Sequence, residues 1–143
     1  MRIIALTALA LAGTAHAGKI TVEPAQPLQG SEGMFRCALW AQGDGFPGDT
    51  ENALKTAEAK IVDNGAVCTF EGIEKGRYAI SILHDANNNG KIDLNVLGIP
   101  KEGFGASNDT PPGPTSPPNF EDAAFEFDGS EVNLALIMRY ILG

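Results

Sequence analysis

Over residues 18–143 the apolar side chains recur mostly at every second position, in short runs separated by Gly, Pro, Asn and Asp. That is the period of strands with one dry face and one wet face. Lys19–Glu23 reads as a first strand, followed by a polar stretch holding Pro24, Pro27, Gly30 and Gly33. Met34–Trp40 alternates with Phe35, Cys37 and Leu39 on one side and Arg36 on the other, so Cys37 is predicted to face the core. Gln42–Thr50 carries Gly43, Gly45, Pro47 and Gly48 and is predicted to loop. Thr50–Ala59, rich in helix formers behind a Thr50 cap, predicts one or two helical turns.

Asp63-Asn64-Gly65 between Lys60–Val62 and Ala66–Phe70 predicts a tight hairpin. Arg77–Leu83 alternates strictly, with Tyr78, Ile80 and Ile82 on one face. From Leu94 to Asn119 the glycines and prolines predict a long run with little regular structure, a length that in compact domains usually serves a function or stays unordered. Ala123, Phe125 and Phe127 then alternate, and Val132–Tyr140 is apolar enough to predict a central strand. Six or seven such strands with at most one short helix predict an all-β sandwich in one domain, residues 18–143.

Residues 1–17 break this pattern. Arg2 precedes an apolar run from Ile3 to Ala12, and Ala15-His16-Ala17 supplies a small-x-small cleavage site, so the segment is predicted to be a secretory signal peptide. The run is too short to span a bilayer, and the later apolar stretch Leu134–Leu142 is interrupted by Arg139, so no transmembrane segment is predicted in residues 18–143. The expected location is the periplasm or outside the cell. The whole chain carries a formal charge of −8, and losing Arg2 with the leader makes it −9. Such acidity argues against nucleic acid and anionic membranes as partners and makes cations the natural counter-species.

Cys37 and Cys68 are an even pair in an exported chain, with no Cys-x-x-Cys motif, and a disulfide is expected between them. The chemistry-bearing stretch is His84-Asp85-Ala86-Asn87-Asn88-Asn89-Gly90-Lys91-Ile92-Asp93. Counted from Asp85, side-chain oxygens fall at positions one (Asp85), three (Asn87), five (Asn89) and nine (Asp93), glycine at six, and the Lys91 carbonyl at seven. This matches the first nine positions of an EF-hand loop, in which alternate residues supply the hard oxygens that calcium requires. Position twelve, normally a bidentate Glu, is Val96. Calcium binding weaker than in a sensor EF-hand is therefore expected, unless a distant carboxylate such as Glu102, Asp109 or Asp122 completes the shell. The bland alternative is that these Asn and Asp side chains only brace a turn through nearby backbone amides.

Catalysis has little support. His84 beside Asp85 suggests a small hydrolase, yet there is no Gly-x-Ser-x-Gly and no serine with a suggestive neighbourhood, so no catalytic residue is assigned. Gly98–Gly105 lacks the lysine of a phosphate loop, and no cofactor-binding residue is assigned there. Trp40 or Phe104 as a sugar-stacking platform is a further alternative.

The run Gly76–Ile80 leading into His84–Asp93, followed by Leu97–Gly105 with Ser107-Asn108, and then Phe120–Ala124, resembles the bacterial domain-of-unknown-function family 2141. The resemblance implies an exported bacterial protein with an immunoglobulin-like or transthyretin-like sandwich and no established activity. The reading that results is a non-enzymatic exported module. Its Asp/Asn loop would bind calcium and order the Leu94–Asn119 segment for an unknown protein or glycan partner.

Overall fold

The computed structural model describes residues 17–114 and 116–142, so the expected leader lies outside the described residues apart from Ala17. Among the described residues eight strands form two facing sheets. They are β1 (Gly18–Pro24), β2 (Met34–Trp40), β3 (Lys55–Lys60), β4 (Cys68–Ile73), β5 (Gly76–Asp85), β6 (Phe104–Ala106), β7 (Phe125–Phe127) and β8 (Glu131–Leu136). One four-residue helix, α1 (Phe120–Ala123), precedes β7 and is capped by the Asn119 side chain accepting from the Asp122 amide. The all-β reading therefore holds. No helix among the described residues is long and apolar enough to cross a membrane.

The smaller sheet runs β4-β1-β8, with β1 antiparallel to β4 and parallel to β8. The larger runs β3-β2-β5-β6, and β7 shares the β6 side of β5 by pairing with its first residues. Alternation along the strands aims Ile20 and Val22, Phe35 and Leu39, Phe70, and Ile80 and Ile82 into one core between the sheets. Cys37 on β2 is disulfide-bonded to Cys68 on β4, which joins the two sheets through that core.

Four elements differ from their sequence expectations. The helix expected over Thr50–Ala59 is a single 3-10 turn, Thr50–Asn52, after which the chain becomes β3. Helix propensity is worth only tenths of a kcal/mol per residue, whereas the β2 edge offers a ladder from Met34 to Leu39 that β3 completes. The Asn-Gly turn is present, with Val62 and Gly65 exchanging backbone hydrogen bonds and Asp63 and Asn64 at positive φ. Its flanks do not continue as a hairpin, because β3 joins the larger sheet and β4 the smaller. The strand expected from Ala123 opens instead as α1, leaving only Phe125–Phe127 extended. Finally β8 ends at Leu136 and lies at a sheet edge, not in the middle. Its apolar run continues past the strand because Met138 and Tyr140 still pack on the core.

The outer face of the larger sheet is also dry over part of its area. Ala38, Ala79 and Ala106 are small enough for Trp40, Phe46 and Phe120 to pack over them, giving a second apolar cluster. Trp40 meets Phe46 edge-on at 5.4 Å between centroids, and Phe46 meets Phe120 at 6.0 Å.

Candidate functional site

The Asp/Asn loop leaves the end of β5 on that outer side. Asp85, the last residue of β5, is fully buried, and its carboxylate accepts from Arg36 Nε at 2.6 Å, the Gly90 amide at 2.7 Å and the Asn89 amide at 3.1 Å. Those two amides point inward because Asn88 and Gly90 both take positive φ, which curls the chain around the carboxylate. Arg36 stands one strand away on β2, and β2–β5 pairing sets it opposite Leu83. Its other nitrogens reach Asn88 Oδ1 at 2.6 Å and Glu58 Oε2 at 3.2 Å. The hydrogen bond that Arg36 donates to Asp85 holds the guanidinium above its ordinary range, against an opposing effect of burial.

Asp93 closes the loop. Its carboxylate accepts from Asn87 Nδ2 at 2.6 Å and Asn89 Nδ2 at 2.8 Å, and these two bonds, Asn89 first, hold it below the usual carboxylate range. The carbonyl ends of the same carboxamides accept from the amides of Asn89 and Lys91. The turn-bracing chemistry expected of Asn and Asp is thus fully present.

Of the three carboxylates expected to substitute for position twelve, one is at the loop. Glu102 is 92% buried, since its exposure is 8%. Its Oε1 accepts from the Asp93 amide at 3.2 Å, while Oε2 has no hydrogen-bond partner among the described residues. Burial raises the Glu102 carboxyl above its ordinary value, and the charges of Asp93 and Asp85 add to the rise. Asp109 instead accepts from the Ile137 amide, and Asp122 accepts from the Asn119 side chain. Among the described residues no three His, Cys, Asp or Glu side chains form a metal cage. The oxygens at the loop are two carboxylates, Asp93 and Glu102, beside carboxamides and carbonyls, with Asp85 already turned onto Arg36.

The alternative sites resolve differently. His84 is buried with both ring nitrogens engaged, Nδ1 to the Tyr140 hydroxyl at 2.7 Å and Nε2 to the Glu32 carbonyl at 2.9 Å. Because a carbonyl only accepts, Nε2 donates to Glu32, and in the neutral ring Nδ1 accepts from Tyr140. Tyr140 in turn accepts from the Gln29 amide at 3.1 Å. His84 is thus a structural clamp with no free nitrogen to serve as a base. Trp40 is fully buried, which removes it as a sugar-stacking platform, and Phe104 keeps only 9% of its surface exposed. Arg36 and Asn88 were not singled out in the sequence, because an arginine 49 residues upstream carries no local sign of its partner.

The molecule is thus an all-β, two-sheet protein with an Asp/Asn-rich loop ordered against a half-buried arginine. Residues 25–135 match the model of DUF2141, an uncharacterised protein conserved in bacteria, and the chain belongs to that family. No curated protein and no solved structure matches it.

Proposed function

We propose that the chain is an exported, non-enzymatic β-sandwich module in which Asp85–Asp93 and Glu102 bind a divalent cation, calcium by ligand type. The carrying observation is the unpartnered Glu102 Oε2, buried at the mouth of an oxygen-rich loop. A buried carboxylate oxygen without a donor is unfavourable, and a hard cation relieves it. Asp93, Glu102, the carboxamides of Asn87 and Asn89 and the Lys91 carbonyl are the donor set. Each carboxamide has to turn so that Oδ1 replaces Nδ2 beside Asp93, a rotation between ends of nearly equal size. Two carboxylates make a weak site compared with sensor EF-hands.

The leader-like N-terminus and the Cys37–Cys68 disulfide support export, since disulfides persist in oxidising compartments. The cation would tie the Glu102 end of the following segment to the loop, holding it as a surface for a protein or glycan partner. Thermal unfolding with chelator and with millimolar calcium tests the reading. A cation at about 100 times its Kd stabilises by roughly 2.7 kcal/mol, so wild type should melt higher in calcium. Glu102→Gln should be at least as stable as wild type in chelator and gain far less from calcium. Asp109→Asn and Asp122→Asn should respond to calcium as wild type does. A wild-type melting temperature unmoved by calcium would end the proposal.

A further inference from the structure

The uncovered part of the larger sheet's outer face forms the floor of a cleft of about 1060 Å³. Arg36, Ala38, Ser81, Leu83 and Phe104 contribute to the floor, and the walls come from Gly45–Thr50, Gly90–Pro100, and Pro112–Pro114 with Ser116–Pro118. Volumes of about 300–1000 Å³ are typical of sites that enclose a small organic ligand, so this one is at the generous end.

The wall next to the Asp/Asn loop is built, not draped. Leu94 and Pro100 pair as a bridge, Asn95 exchanges backbone bonds with Ile99 and Gly98, and Asn95 Oδ1 accepts from the Leu97 and Ile99 amides. This small hairpin holds Leu94 and Leu97 in the cleft lining while leaving them 53% and 79% exposed. A folded chain that fixes two leucines in water beside a cavity has apolar surface left to cover.

The polar groups decide what can cover it. Ser81 Oγ donates to the Pro47 carbonyl and accepts from Trp40 Nε1, so it is spent. Arg36 is held by Asp85, Asn88 and Glu58. The charged residues of the lining, Arg36 and Lys91 against Asp49 and Glu58, cancel. A charged ligand would be desolvated against a neutral lining whose deep donors and acceptors are already paired, whereas an apolar one leaves nothing unsatisfied.

We infer that this cleft binds an uncharged, mainly apolar molecule of small-lipid size, such as a long-chain alcohol or ester. The inference does not rest on the cation, because the Asn95 bonds fix the two leucines and the sheet supplies the floor.

The test is a fluorescence titration of the full mature chain with the neutral probe N-phenyl-1-naphthylamine, displaced by dodecanol, in chelator and in calcium. Saturable one-to-one binding and displacement are expected in both buffers. The double variant Leu94→Glu, Leu97→Glu should bind about tenfold more weakly or worse, since each exposed leucine loses its burial under the ligand. Its melting temperature should stay at the wild-type value, because both side chains are largely in water already. Absence of saturable binding overturns the inference, as does equal affinity in wild type and variant. It also falls if the chain is dimeric and the substitutions separate the dimer, because a second copy is then what covers the leucines. Failure of calcium to shift the melt would leave this result untouched, so the two readings fail separately.

Discussion

Tyr140 shows what one side chain near the C-terminus does for the fold. Its hydroxyl donates to His84 Nδ1 and accepts from the Gln29 amide, which joins the end of the chain, the end of β5 and the loop after β1 at one oxygen. Burial raises this phenol above its ordinary value of 10.0. The folded chain therefore keeps the proton more tightly than the unfolded chain. The stability this confers is complete below a pH of about 10 and is lost as pH rises through the folded value. Tyr78 shifts in the same direction, from burial first and the Glu74 charge second, so Tyr140→Phe should flatten the alkaline decline without removing it. Near neutral pH the same variant should lose about 1–2 kcal/mol with its two hydrogen bonds. Melts from about pH 8 to about pH 11 would check both effects, and an unchanged alkaline slope would contradict the assignment. Asp85 illustrates the same scale from the side of the candidate site. Its residue type and position were legible in the sequence, but its main partner, Arg36, was not.

Among the elements, the Asp63-Asn64-Gly65 turn separates local from tertiary information. The residues at positive φ and the reciprocal Val62–Gly65 bonds follow from Asn-Gly chemistry alone. Its docking does not: Asn64 Nδ2 donates to the Leu28 carbonyl and Asn64 Oδ1 accepts from Ser31 Oγ, contacts more than 30 positions apart. Asn64→Ala loses both bonds and places an alanine at φ +63°, which should lower stability by about 2–3 kcal/mol. Asn64→Gly keeps the backbone geometry and should lose less; urea unfolding that ranks the two variants the other way would refute this account. Residues Thr50–Ala59 show the opposite case. Ala, Leu, Lys and Glu favour helix there, but β3 is selected by the open edge of β2, a partner more than a dozen residues away.

The two sheets of the whole molecule are joined covalently as well as by their core. Cys37 and Cys68 are separated by 31 positions, and closing a loop of that size restricts the unfolded chain by roughly 3–4 kcal/mol. Replacing both cysteines with alanine should reduce the urea midpoint accordingly, while the oxidised protein should show no free thiol on titration; a midpoint unchanged in the double variant would show that the bond adds nothing. The sequence by itself determined the strands β1, β2 and β5, the inward side of Cys37, the all-β class and the residue spacing of the Asp/Asn loop. These depend on side-chain period and turn chemistry, which neighbouring residues specify. Only the tertiary structure decided that β3 is a strand, that β8 pairs in parallel at an edge, that Arg36 meets Asp85, and that Glu102 of the three distant carboxylates stands at the loop. Each is a contact between distant residues, set by which edge, face or buried charge lacks a partner once the sheets have come together.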